Sequence, residues 1–285
     1  MSGATRYEAM FARNARDRCR AFVPFTVLGD PDPATSLEII QMLVRSGADA
    51  LELGLAFSDP VADGASIQAA DARAREARTT VEQAWSIVRA VRVEFPDLPI
   101  GMLVYANLVL HGSPESFHAR AASAGVDSVL VADAPLLEFS RFERSAEKHG
   151  IAPVLIAPAN APDDRLRAIA SRSRAYVYVT SRPGVTGADR ELGVSASAVI
   201  DRLNALNSAP PLLGFGIGRP EHVRQAVAMG AAGAISGSAI ASKIEDNLED
   251  RRKMLDILGG FVREMKAATM AEPLEPPVDS LRGRG

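Results

Sequence analysis

Short apolar runs recur along the chain, each followed by a polar loop and then by a stretch whose apolar residues return every three or four positions. The runs cover residues 21–28, 50–53, 100–105, 128–131, 153–156, 175–179, 212–215 and 232–235. They have strand length, while the stretches between them carry the helical period. Helical patterns cover roughly 34–46, 79–94, 114–124, 136–149, 162–171, 195–206, 219–229 and 247–268, and a further one, at 7–18, precedes the first strand.

Strands that alternate with helices imply a parallel sheet, because parallel neighbours need a crossover between them. Eight such units in 285 residues fit a closed (β/α)8 barrel with one additional N-terminal helix. An open doubly wound sheet is the rival, and no G-x-G-x-x-G follows the first strand. Gly47, Gly125, Gly150 and Gly230 each follow a helical pattern, where a C-cap glycine belongs. Residues 1–271 read as a single barrel domain. The tail from 272 to 285 is rich in proline, glycine and charge and is expected to lack fixed structure.

The most informative run is Leu51-Glu52-Leu53-Gly54-Leu55-Ala56-Phe57-Ser58-Asp59-Pro60-Val61-Ala62-Asp63-Gly64. Strand side chains alternate between faces, so Leu51 and Leu53 share one face and Glu52 takes the other. A carboxylate facing the inside of a sheet is costly unless it is neutral, satisfied or used. Glu52 is thus either an acid–base group or a glutamate satisfied by backbone donors or a basic neighbour. Asp63 arrives on the following loop, although Ala-Asp-Gly is also ordinary turn chemistry.

Active sites of such barrels lie at the C-terminal ends of the strands. Three glycine-bearing segments fall there: Arg182-Pro183-Gly184-Val185-Thr186-Gly187, Gly214-Phe215-Gly216-Ile217-Gly218, and Ser236-Gly237-Ser238-Ala239-Ile240, which opens a short extra helix. Glycine lets backbone N–H groups approach an oxyanion, and a helix N-terminus adds a favourable dipole. Together they suit a phosphate. Phe25, Tyr105, Tyr178 and Phe215 end core strands and are placed to wall a flat apolar pocket beside it.

Composition narrows the chemistry. The formal net charge is -3, with no basic run for nucleic acid or an anionic membrane. Cys19 is the sole cysteine, so no internal disulfide exists, which suits a reducing cytoplasm. The N-terminus lacks the apolar core of a signal peptide, and no apolar stretch has membrane-spanning length. Lys148, Lys243, Lys253 and Lys266 all fall in helical patterns, so no strand-end lysine offers a Schiff base. His111, His118, His149 and His222 show no metal-ligand spacing. Acid–base work falls to Glu52 and Asp63.

These residues resemble the family of tryptophan synthase alpha subunits over about residues 5 to 268. The motifs are Phe22-Val23-Pro24-Phe25 with Gly29-Asp30-Pro31, Glu52-Leu53-Gly54 with Phe57-Ser58-Asp59-Pro60 and Ala62-Asp63-Gly64, and Tyr105-Ala106-Asn107. Ala132-Asp133-Ala134-Pro135, Gly184-Val185-Thr186-Gly187, Gly214-Phe215-Gly216-Ile217 and Gly233-Ala234-Ile235-Ser236-Gly237-Ser238 complete the set. The resemblance implies a lyase of tryptophan biosynthesis that splits indole-3-glycerol phosphate into indole and glyceraldehyde 3-phosphate by a retro-aldol route. It implies Glu52 as the acid–base residue, Asp63 as the partner of the indole N–H, and Tyr178 near Glu52. Phe25, Ile67, Leu103, Leu130 and Phe215 would enclose the indole. Gly187, Gly216, Gly237 and Ser238 would hold the phosphate, and Thr186, on a lid at 180–192, would reach Asp63. Neither a metal nor another cofactor is implied in this subunit.

The resemblance further implies a partner, a pyridoxal-phosphate beta subunit in an alpha2-beta2 heterotetramer. Asp59, Pro60, Asn107 and Pro135 would face it. Ala56 and Ala65 stand where the family usually has proline, and Pro183 where it usually has a small residue. These departures touch both catalytic loops. The rival functions are a stand-alone lyase that releases indole, a largely inactive activating subunit, and another phosphate-binding barrel enzyme.

Overall fold

The structure, a computed structural model, describes residues 3–181 and 194–270. In chain order the elements are α1 (Gly3–Arg16), β1 (Ala21–Leu28), α2 (Pro33–Arg45), β2 (Leu51–Leu55), α3 (Ala65–Glu76), α4 (Val81–Glu94), β3 (Ile100–Val104), α5 (Ala106–Leu110), α6 (Pro114–Ala124) and β4 (Ser128–Val131). Then come α7 (Ser140–Lys148), β5 (Ala152–Ala157), α8 (Asp163–Arg172), β6 (Val177–Thr180), α9 (Val194–Ala205), β7 (Pro211–Gly214), α10 (Pro220–Ala228), β8 (Gly233–Ser236), α11 (Ser238–Glu245) and α12 (Arg251–Ala267).

The eight strands form a closed barrel in sequence order. Each pairs in parallel with the next, and β8 closes on β1. The strands are apolar on both faces because both are covered. Leu51, Leu53 and Met102 face outward into a core under Trp85 of α4. Val23, Phe25, Leu130, Val154, Tyr178, Leu212 and Ile235 fill the inside. The four expected C-cap glycines all have left-handed backbone, with φ of 111°, 89°, 71° and 82°.

The N-terminal helix closes the barrel at its N-terminal end. Tyr7 is buried with its ring 5.6 Å from that of Tyr176, and its hydroxyl is 2.9 Å from Ser128 Oγ. Asp127, at the foot of β4, accepts from Arg6 at 2.7 Å and from Arg92 at 2.6 Å. This buried ion cluster ties α1 and α4 to the base of the sheet.

Some elements differ from the expected pattern. The first helix runs Gly3–Arg16 and not 7–18, since Arg18 turns into the left-handed region at φ 53°. The pattern at 136–149 shortens to Ser140–Lys148. Two helices that the pattern misses are α3 and α5. The inner face of α3 consists of Ile67, Ala70, Asp71 and Ala74, too few large apolar residues for the period to stand out. The segments 182–193 and 271–285 lie outside the described residues. No described helix is long and apolar enough to cross a membrane.

Candidate active site

A cavity opens at the C-terminal end of the barrel, with Glu52 and Asp63 both in its lining. Its apolar walls include Phe25, Ile67, Leu103, Phe215 and Ile235. Glu52 comes from β2, whose alternation sends Leu51 and Leu53 outward and the carboxylate in. Only 1% of the residue is exposed. The Tyr176 hydroxyl donates to Oε1 at 2.6 Å, while Oε2 has no partner among the described residues. Burial pushes the carboxyl up to about 7; the Tyr176 hydrogen bond opposes the rise and the nearby charge of Asp63 adds to it. At neutral pH the group holds or releases a proton with little bias, as a general acid–base residue needs.

Asp63 sits where the β2 loop turns into α3. Tyr105 donates to its Oδ2 at 2.6 Å. Its backbone is held as well: its N–H donates to the Pro60 carbonyl at 3.0 Å, and Gln68 Nε2 donates to its carbonyl at 2.7 Å. Burial raises its pKa, against the Tyr105 hydrogen bond. Tyr105 also accepts the Ala62 N–H at 3.1 Å and stacks on Phe57, 5.1 Å between centroids.

The opposite part of the lining is backbone-rich. Gly216, Ile217, Gly237 and Ser238 lie there. Phe215 and Gly216 both have positive φ, 64° and 81°. A non-glycine residue held left-handed is uncommon and is sustained by its surroundings; here Ser181 Oγ donates to the Phe215 carbonyl at 2.7 Å. Helix α11 begins at Ser238. Its first intrahelical bonds run from the Ile240 and Ala241 N–H groups to the Gly237 carbonyl at 2.9 and 3.0 Å, which leaves the Ser238 and Ala239 N–H groups at the helix entrance, where the dipole favours an anion.

Ten of the sequence-derived residues therefore meet in one cavity: Glu52, Asp63, Tyr178, Phe25, Ile67, Leu103, Phe215, Gly216, Gly237 and Ser238. Leu130 does not line it. It is buried deeper in the barrel interior, and Ala132, two residues further along the same face, lines the wall instead. Thr186 and Gly187 lie outside the described residues, as do Pro183 and most of the expected lid. Tyr176 was missed as the partner of Glu52. The available signal is its spacing of two from Tyr178 in the apolar run 175–179, which puts both on one face, although β6 itself begins one residue later at Val177. Among the described residues no group of three or more His, Cys, Asp or Glu is placed to hold a metal ion.

Gly214 explains how Tyr178 fits. A Cβ added there would overlap the Tyr178 phenol, and that ring is 4% exposed with Phe215 edge-on at 5.9 Å. Gly214→Ala is expected to displace the ring and cost roughly 1–3 kcal/mol, the usual penalty of overpacking. Thermal denaturation checks this; an unchanged melting temperature would mean the ring has room.

A model of the tryptophan synthase alpha chain family matches residues 11–270. The chain belongs to that family. It is 52% identical over 265 residues to the tryptophan synthase alpha chain of Cronobacter sakazakii, covering 93% of this chain and 98% of the other. It is also 52% identical over 264 residues to that of Pectobacterium atrosepticum, with the same coverage. Among solved structures it superposes on the alpha subunit from Legionella pneumophila with a TM-score of 0.83 at 27% identity, covering 94% and 98% of the two chains. A chain from the tryptophan synthase a2b2 complex of Pyrococcus furiosus gives a TM-score of 0.79 at 30% identity, covering 87% and 98%. As a tryptophan synthase alpha chain, the protein is an indole-3-glycerol phosphate lyase of tryptophan biosynthesis.

Proposed function

We propose that Glu52 carries the proton transfers of this lyase and that Asp63 steadies the indole ring. Indole leaves poorly as a carbanion. A proton delivered to ring carbon C3 turns the ring into an electron-accepting indolenine. Loss of the proton from the hydroxyl on the attached carbon then lets the C–C bond break. The bond pair returns to the ring as indole, and the hydroxyl carbon becomes the aldehyde of glyceraldehyde 3-phosphate. Glu52 gives the first proton and takes the second. Asp63, positioned by Tyr105, accepts the indole N–H as positive charge grows on the ring. Gly216, Gly237 and Ser238 hold the phosphate. One observation carries the assignment: Glu52 lines the cavity, and its Oε2 is buried with no partner among the described residues.

A beta subunit is proposed as the partner, docking on the C-terminal rim in an alpha2-beta2 assembly in the cytoplasm. Asp59, Asn107 and Pro135 are exposed on that rim, and Pro60 is half-buried. Val61 and Leu137 stand nearby with 73% and 94% exposure, apolar groups that a partner would cover. Binding raises the rate only if the partner prefers the ordered loop.

The test is release of indole and glyceraldehyde 3-phosphate, in equal amounts, from indole-3-glycerol phosphate. It is run with the chain alone and with a cognate beta subunit titrated in. Low activity alone and marked activation in complex are expected. No cleavage in either condition overturns the acid–base assignment. Full activity alone, unchanged by the partner, fits the stand-alone lyase instead.

A further inference from the structure

We propose that Asp71 is a positioning residue for Asp63, acting by anchoring the backbone at Phe57 and, through the Phe57–Tyr105 stack, the hydroxyl that holds the Asp63 carboxylate. This rests on the role of Asp63 given above.

Asp71 is out of place for a structural helix residue. It lies in the middle of α3, on the inner face with Ile67, Ala70 and Ala74, and is 5% exposed. Aspartate is a poor residue for a helix interior, and a buried carboxylate is costly. Among the described residues no cation forms an ion pair with it. Arg73, two residues on, is committed to Asp30 through two hydrogen bonds of 2.7 and 2.9 Å. The charges felt at Asp71 are those of Asp63, Asp30 and, more weakly, Arg75. Burial, chiefly, and then the two carboxylates push the group up to about 7, against its one backbone hydrogen bond.

That bond is the use the position serves. The Phe57 N–H donates to Asp71 Oδ1 at 3.1 Å. Phe57 is the second residue after β2 ends, where the chain leaves the sheet for the loop that delivers Asp63. Ala56, just before it, leaves φ free. Asp71 therefore pins the entry of the loop, as Gln68 from the same helix pins its exit at the Asp63 carbonyl. Between these pins the Phe57 ring lies nearly parallel to that of Tyr105, 22° between planes. The Tyr105 hydroxyl then bridges the Ala62 N–H and Asp63 Oδ2. Without the first pin, Phe57 loses its acceptor and the stack loses its fixed edge. An aliphatic side chain at 71 would suit the helix better but would leave that N–H without its partner.

The test compares Asp71→Ala and Asp71→Asn with wild type in the cleavage assay, alongside Tyr105→Phe and the Asp71→Ala/Tyr105→Phe double variant. Asn keeps an oxygen acceptor for the Phe57 N–H; Ala does not. Asp71→Ala is expected to lower kcat by about 10- to 100-fold, the scale of a small misplacement in a catalytic site, with KM within about threefold of wild type. Asn should restore most of kcat. The double variant should be little worse than Tyr105→Phe alone, because both act through one path. Unchanged kcat in Asp71→Ala, an Asn variant as poor as Ala, a rise in KM that matches the loss, or additive effects would each overturn the proposal. Hydrogen exchange of the 56–64 segment supplies a readout independent of turnover. It should quicken in Asp71→Ala and not in Asp71→Asn; equal protection in both overturns the proposal. If wild type itself fails to cleave, the reading of the site falls, and the exchange result still decides what Asp71 does.

Discussion

Glu52→Gln is expected to lower kcat for cleavage of indole-3-glycerol phosphate by about 10²- to 10⁴-fold, the usual scale for losing a general acid–base group. Glutamine keeps the shape, and its carbonyl oxygen still accepts the Tyr176 hydroxyl, which meets Oε1 at 2.6 Å in the native chain. What disappears is the exchangeable proton at Oε2, the oxygen without a partner among the described residues. Substrate contacts with the apolar walls and the phosphate rim persist, so KM should move little. Steady-state kinetics on the purified variant decide the matter. Turnover near that of wild type would remove Glu52 from the chemistry.

The same variant should report on stability with an opposite sign. The Glu52 carboxyl rises from an ordinary 4.5 to about 7 in the folded chain, mainly through burial. A group raised in this way gives its full stability below about 4.5, and that contribution fades as pH climbs through about 7. The amount at stake is on the order of 3 kcal/mol. Glutamine has no such pH dependence. The melting temperature of Glu52→Gln relative to wild type should therefore increase between pH 5 and pH 8. Asp71 is raised for similar reasons, but it is present in both proteins and cancels in the comparison. A constant difference across that range would mean that Glu52 ionises like a surface glutamate.

The barrel was legible because each strand is buried on both faces, which leaves eight apolar runs separated by helical periods. Glu52 was legible for a related reason: a single carboxylate broke a leucine run, and alternation fixed its face. Depth along a strand is harder. Leu130 and Ala132 share a face, and only the rise of the strand places Ala132, not Leu130, at the cavity wall. The groups that tune the carboxylates were harder still. Tyr176 and Tyr105 resemble ordinary core aromatics until the folded chain brings Glu52 and Asp63 to their hydroxyls across 124 and 42 residues of sequence. Asp71 was hidden because α3 shows so little apolar period that its buried carboxylate had no helix to look out of place on.

Gly237→Asp is expected to raise KM for indole-3-glycerol phosphate steeply, by on the order of 100-fold, as like charges meet and backbone N–H access is lost. Gly237 is the cap of α11 and part of the cavity lining. Gly237 has φ -117° and ψ -67°, not the extended backbone from which an aspartate caps a helix, so the added carboxylate acts on the phosphate through its charge and its bulk. The added Cβ would come within 3.1 Å of Phe25 Cδ1 and 3.4 Å of Phe25 Cβ, so some crowding of the indole wall accompanies the charge. Gly237→Asn separates the two effects, with nearly the same volume and no charge. If repulsion dominates, Asn should recover a large part of the loss; if crowding dominates, both variants should fail alike. Glycerol phosphate gives a check free of turnover. At 100 times its Kd a ligand stabilises the folded state by about 2.7 kcal/mol, so it should raise the melting temperature of wild type and leave the Asp variant almost unmoved. Equal protection of both proteins would place the phosphate away from α11.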